Sequence, residues 1–257
     1  MKLVFKILGS GSSLGVPRID GNFGKCDPKN KKNIRTRCSA LLSAQNFNLL
    51  IDSSPDIRNQ FLNNKVKSLN CVFYTHQHAD QTHGINDLRF FYLKNRKPIP
   101  VYANKITSKY LLKSFEYCFK KTSNFYPPIM KIFLLKKKHS FLNKKINITS
   151  FEVKHGSINS ICYIINNKLA YVSDVSSIDK KNYKKINRLK YFIVDCLREE
   201  PHPSHYNLDK ILALIKVIKP KYTILTNLHS SLDYQELKKK LPKFVYPAHD
   251  GMKLIIN

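Results

Sequence analysis

A chain of 257 residues, 42% of them hydrophobic, can bury a sizeable core and sits near the upper size of one domain, so a single unit over residues 1–257 is expected. No run approaches the roughly 18 apolar residues of a membrane span, and Met1-Lys2-Leu3-Val4-Phe5-Lys6 reads as a strand start without signal-peptide anatomy, so a cytoplasmic protein with no membrane partner is expected. The formal net charge of +28 would attract any polyanion, but the chain lacks Trp and is heavy in Asn and Ile; this is a drift of residue usage in which Lys136-Lys137-Lys138 and Lys238-Lys239-Lys240 are solvated surface, and nucleic acid is the less favoured partner.

The first strand pattern is Leu3–Leu8, followed by a long irregular stretch from Gly9 to Arg37 whose length in a compact domain suggests function. Strands are predicted next at Ser39–Ala44 and Asn48–Asp52, a helix at Pro55–Asn63, and a strand at Cys71–Tyr74. A helix over Asp87–Lys94 and a strand at Pro100–Ala103 lead to a longer helix over Thr107–Phe119. Strands then follow at Lys131–Leu135, Ile146–Lys154, Ile161–Ile165 and Leu169–Ser173, all short, β-branched or aromatic, and bounded by turn residues. The remainder alternates: helix Asp179–Arg188, strand Tyr191–Asp195, helix Leu208–Val217, strand Tyr222–Thr226, helix Asp233–Lys240 and strand Phe244–Tyr246. Early hairpins followed by strand–helix alternation predict a mixed α/β protein, two sheets face to face with helices outside. The six cysteines lack short paired spacing, and several fall inside apolar strands, which argues against a disulfide framework.

The strand Cys71–Tyr74 runs into Thr75-His76-Gln77-His78-Ala79-Asp80-Gln81-Thr82-His83-Gly84. Residues separated by one position in extended chain point to the same side, so His76, His78 and Asp80 leave the strand end together as candidate metal ligands. Further metal-capable residues stand just beyond other strands: His155, Asp174, His229, and His249 with Asp250. Strand ends on one rim of a sheet sandwich converge, so these residues can complete one shell.

Thr75-His76-Gln77-His78-Ala79-Asp80, His155-Gly156, Ser173-Asp174 and His229 together resemble the metallo-β-lactamase fold hydrolases. Gly9-Ser10-Gly11-Ser12-Ser13-Leu14-Gly15-Val16-Pro17-Arg18, Arg35-Thr36-Arg37-Cys38-Ser39, Gly84-Ile85-Asn86-Asp87-Leu88-Arg89 and Asp250-Gly251-Met252 are similar to the branch containing phosphoribosyl 1,2-cyclic phosphate phosphodiesterases. The resemblance implies a four-layer αββα sandwich. It makes His76, His78 and His155 ligands of one metal, Asp80 and His229 ligands of a second, and Asp174 a bridge between them. The implied chemistry is phosphodiester hydrolysis of a small substrate, with one or two zinc or manganese ions activating water, Asp80 orienting or deprotonating it, and His205 as general acid toward the leaving oxygen. The less favoured reading of His205 is a capping or hydrogen-bonded loop residue.

Gln81 stands where the family commonly has His, which weakens the second metal position. His83 could compensate, or serve as an outer support or structural residue, and Asp52 is read as an acceptor behind the ligands. Arg35, Arg37 and Arg89 are expected to bind substrate phosphate, although Arg89 could instead pair with Asp87 and brace the metal loop. His249 is expected near the pocket without ligating. Cys26 alone cannot form the extra zinc site that some relatives carry in the first loop. The alternatives left open are an RNA-processing nuclease, a thioesterase or lactonase of the same fold, and a non-catalytic metal- or RNA-binding relative. Assembly as a homodimer is also left open.

Overall fold

The computed structural model describes residues 1–121 and 127–256. Strands β1 (Val4–Gly9), β2 (Ser39–Ala44), β3 (Phe47–Ile51), β4 (Cys71–Phe73), β5 (Ile99–Ala103), β6 (Met130–Leu134) and β14 (Lys253–Ile255) form one sheet in the order β14-β1-β2-β3-β4-β5-β6. Strands β7 (Lys138–Phe141), β8 (Ile146–His155), β9 (Ile158–Ile165), β10 (Leu169–Val172), β11 (Tyr191–Asp195), β12 (Tyr222–Thr226) and β13 (Val245–Pro247) form the other, ordered β13-β12-β11-β10-β9-β8-β7. Each sheet is antiparallel on one side and parallel on the other. The parallel runs are β3 to β6 and β10 to β13, with strand–helix crossovers between several of their members.

The helices are α1 (Ile57–Asn63), α2 (Ala79–Thr82), α3 (Arg89–Asn95), α4 (Lys105–Ser114), α5 (Glu116–Phe119), α6 (Tyr183–Ile186), α7 (Leu208–Ile218) and α8 (Tyr234–Lys240). Strand alternation decides the layering. Leu42 and Leu49 face inward with Phe5, Ile7 and Phe73 against Ile148, Tyr163, Tyr171 and Ile193 of the second sheet, whereas Leu41 and Leu50 face outward onto α1, α3 and α4. A one-residue slip would exchange the two sets, and full burial of each such side chain is worth about 1.5–3 kcal/mol. On the far side Ile211, Leu214, Ile215 and Ile218 form one stripe of α7 at helical spacing and cover the second sheet. The result is a helix–sheet–sheet–helix sandwich, as predicted. Among the described residues no helix is long and apolar enough to cross a membrane.

Two strands went unpredicted, β7 and β14. Both are half-exposed edge strands of only four and three residues, too short to show a pattern, and one exposed Lys on each blunts the edge against further pairing. The helix expected over Thr107–Phe119 breaks at Phe115, and that expected over Asp179–Arg188 shrinks to a 3₁₀ turn and α6, stopping before Arg188 with its φ of 54°. The long first loop is tied down. The Asp250 carboxylate accepts from the backbone N–H and hydroxyl of both Ser10 and Thr36, at 2.6–2.9 Å. All six cysteines are free and buried.

Candidate metal centre

The parallel strands deliver their carboxyl ends to one rim. His76 follows β4; His78, Asp80 and Gln81 sit at or in the first turn of α2; His155 ends β8; Asp174 follows β10; Asp195 ends β11; and Asn227 follows β12. The loop before α7 brings in His205. His78, Asp80, His155, Asp174, His205 and Asn227 line a cavity of about 350 Å³.

Hydrogen bonds behind the imidazoles set their tautomers. Thr75 donates its backbone N–H and its hydroxyl to the two oxygens of Asp52, at 2.7 and 2.8 Å. With its proton committed there, Thr75 Oγ1 accepts from His76 Nδ1–H at 3.0 Å, so His76 Nε2 carries a lone pair toward His78. His155 Nδ1–H donates to the Ser204 carbonyl at 2.7 Å, which leaves its Nε2 in the same state. These nitrogens meet His78 Nδ1 at 3.0 and 3.3 Å, a spacing close to the roughly 3.3–3.4 Å between nitrogens held tetrahedrally at 2.0–2.1 Å from one zinc. Burial pushes His76 down to about 3 and lowers His78 too, which favours the neutral, ligating form of these two rings. The donor set therefore fits a divalent ion at His76, His78 and His155, with Asp174 Oδ1 3.9 Å from His155 Nε2. Burial pushes Asp174 up, but the imidazoles of His76, His155 and His205 outweigh it and hold its carboxyl below the usual range.

On the other flank His205 Nδ1 lies 2.7 Å from Asp195 Oδ2, leaving its Nε2 for the cavity. Burial pulls His205 down, but Asp195, Asp174 and Asp80 lift it to about 9. Burial raises Asp195 to about 7, with His205 opposing, and burial together with Asp174 raises Asp80 to about 6. Gln81 is fully buried and donates Nε2–H to Asp80 Oδ2 at 2.9 Å and to Asp174 Oδ2 at 3.3 Å. Asn227 Nδ2 stands 3.2 Å from both Asp174 Oδ1 and Asp195 Oδ1.

Several expected roles are not supported by position. His229, expected as a ligand of the second metal, lies apart from the cluster: its Nε2 faces Arg18 Nη2 at 3.2 Å and its Nδ1 faces Ser231, because it sits three residues past Thr226, the end of β12. Burial and the charges of Arg18 and Arg198 lower its pKa. Arg35 is 1% exposed, donates to the Leu232 and His229 carbonyls and to Asn33 Oδ1, and is not among the residues lining the cavity, so it braces the first loop. Arg37 pairs with Asp56 at 3.0 Å and donates to the Ser13 carbonyl. Arg89 is exposed at the start of α3 beside Tyr117 and Cys118 and is not among the residues lining the cavity. His83 turns outward to the Tyr110 hydroxyl at 2.9 Å and packs edge-on against Phe115, so it does not replace the missing histidine. Asp52 acts through Thr75, not as a ligand. Asp195 and Asn227 were missed. Asp195 ends a predicted strand just as Asp174 follows one, which is its signal in the sequence; Asn227 carries none, being an amide two places before His229.

A family model described as a beta-lactamase superfamily domain matches residues 47–227, which span the cluster from His76 to Asn227. The chain belongs to the beta-lactamase superfamily. Its fold is that of the metallo-β-lactamase hydrolases. A diphosphatase from the PhnP family is similar over 99% of this chain and 97% of its own, with 29% identity and a TM-score of 0.91. Zn²⁺-bound PqqB from Methylobacterium extorquens (17% identity, TM-score 0.75, 98% of this chain and 99% of that one) and the short form of human tRNase Z (16%, 0.71, 99% of each) share the fold. A curated relative, an octanoyltransferase of Porphyromonas gingivalis, is 28% identical over 256 residues, 98% of this chain and 51% of that protein; the chain thus spans about half its length.

Proposed function

We propose that the chain is a metal-dependent phosphodiester hydrolase acting on a small substrate, of the class of a cyclic phosphate such as phosphoribosyl 1,2-cyclic phosphate. The observation that carries this reading is the convergence of His76 Nε2 and His155 Nε2 on His78 Nδ1, at 3.0 and 3.3 Å, beside a cavity that is also lined by His205, itself held by Asp195. His76, His78, His155 and Asp174 would hold a divalent ion, zinc or manganese, which supplies Lewis acidity and lowers the pKa of a coordinated water towards 7. Asp80, on the cavity wall, takes the proton of the attacking water. His205 delivers a proton from Nε2 to the leaving oxygen while Asp195 fixes the ring through Nδ1. A cavity near 350 Å³ suits a small ester, and the diphosphatase relative supports chemistry at phosphorus. A cytoplasmic setting agrees with six free thiols. The octanoyl transfer in the curated relative's name belongs to a protein about twice this chain's length and is not carried over.

The test pairs elemental analysis with hydrolysis of bis(p-nitrophenyl) phosphate under zinc and manganese, then a panel of cyclic phosphates, diphosphates, short RNAs and thioesters. Bound metal with a preference for cyclic phosphates is expected; bound metal with no turnover of any phosphate ester overturns the reading. Cleavage confined to RNA, with salt-dependent retention on immobilised RNA, would instead favour the nuclease that the +28 charge allows.

A further inference from the structure

We infer that this centre takes a single divalent ion and that the side-chain amides of Gln81 and Asn227 fill the place of a second. This rests on reading the imidazole cluster as a metal centre. In that setting Asp80 and Asp174 are the carboxylates that a second cation would join. Here they are already joined: the Gln81 NH₂ group lies 2.9 Å from Asp80 Oδ2 and 3.3 Å from Asp174 Oδ2. Asn227 Nδ2 takes the other Asp174 oxygen at 3.2 Å, and also lies 3.1 Å from the Ser173 carbonyl. Every atom facing these two nitrogens is an acceptor or a ring nitrogen, so each amide must turn its N–H side inward. A cation entering between the carboxylates would meet the positive ends of those N–H bonds. The amides supply partial positive charge from inside the fold, without an ion.

The remaining imidazoles do not rebuild the position. His229 is turned to Arg18, and His83 to Tyr110. A second candidate trio, His155, Asp174 and His205, is no independent site: His155 Nε2 already faces His78, and His205 Nδ1 is engaged by Asp195 at 2.7 Å. Gln81 Oε1 is buried without a hydrogen-bond partner, and a half-turn of that amide would offer it to a cation.

The experiment saturates the full chain with zinc or manganese, removes unbound ion by desalting, and measures stoichiometry by elemental analysis and Mn²⁺ electron paramagnetic resonance. One equivalent per chain with the spectrum of an isolated ion is expected. Two equivalents, or the spectrum of an exchange-coupled pair, overturn the inference and leave the hydrolase reading standing; no bound ion overturns both. The double variant Gln81→His/Asn227→His, checked for folding by circular dichroism, is expected to rise from one equivalent to two. A folded double variant that stays at one overturns the assignment of these two amides as the excluding groups. Should the double variant not fold, the stoichiometry and spectrum of the unaltered chain decide.

Discussion

Replacing Asp52 by Asn changes one atom type and should change the tautomer of a metal-facing imidazole. In the parent chain Asp52 Oδ2 receives the Thr75 hydroxyl proton at 2.8 Å, and Thr75 Oγ1 in turn receives His76 Nδ1–H at 3.0 Å. Burial pushes the Asp52 carboxyl well up, opposed by the two short hydrogen bonds it accepts from Thr75. In Asp52→Asn the carbonyl can still take the Thr75 backbone N–H, but the new NH₂ group faces Thr75 Oγ1. The hydroxyl must then accept from it and turn its own proton onto His76 Nδ1. His76 would carry its proton on Nε2, aimed into the cluster where a lone pair is needed. Loss of such an outer support weakens metal affinity by about 10–100-fold, or about 1.4–2.7 kcal/mol, while fold stability should drop by only about 1 kcal/mol because one acceptor remains. Asp52→Ala should differ in kind: it removes both acceptors in a fully buried place, at about 1–3 kcal/mol each. Chelator competition gives the affinity, urea titration the stability, and ¹⁵N-labelled histidine spectra the tautomer. An Asp52→Asn protein with parental zinc affinity and His76 still protonated at Nδ1 would refute the relay.

Three further outcomes are expected. His229→Ala should leave metal content unchanged, because that ring faces Arg18 at 3.2 Å and lies outside the cluster; elemental analysis showing lost metal would restore it as a ligand. Arg35→Met should lower stability by about 2–4 kcal/mol, since buried carbonyls lose charged donors, while leaving the KM for a phosphodiester within twofold; a raised KM without destabilisation would return Arg35 to substrate binding. Gly84→Ala should cost about 3 kcal/mol or more in a urea melt, because the added methyl would meet the Ser54 carbonyl oxygen at 2.0 Å and Ile57 Cγ2 at 2.8 Å; an unchanged midpoint would contradict that packing.

The fold was legible because period-two alternation in strands such as Ser39–Ala44 assigns each residue to one layer, and because α7 carries its apolar stripe at helical spacing. His76 and His78 could be paired by the same parity argument, and the structure brings both to His155 and Asp174. What could not be read depends on partners far along the chain. Gln81 stands out in the sequence only as a replaced His, and Asn227 not at all; that both amides bind Asp174, 93 and 53 positions away, appears only in the fold. Arg35 resembles a phosphate binder by type and becomes a buried brace through the Leu232 carbonyl, 197 positions on. His229 is the metal-binding type of residue nearest the end of β12 in sequence, but Asn227 stands two places closer and takes the position beside Asp174.

The imidazole cluster draws on both halves of the sandwich: His76 and His78 lie just beyond a strand of one sheet, and His155 ends a strand of the other. A cation seated there works as a rivet across the seam, so the grip measured as affinity is also cohesion between the sheets. At free ion a hundred times its dissociation constant that linkage is worth about 2.7 kcal/mol of resistance to unfolding. Stripping the ion should let the rim gape first at this end of the sandwich, while the far end stays shut.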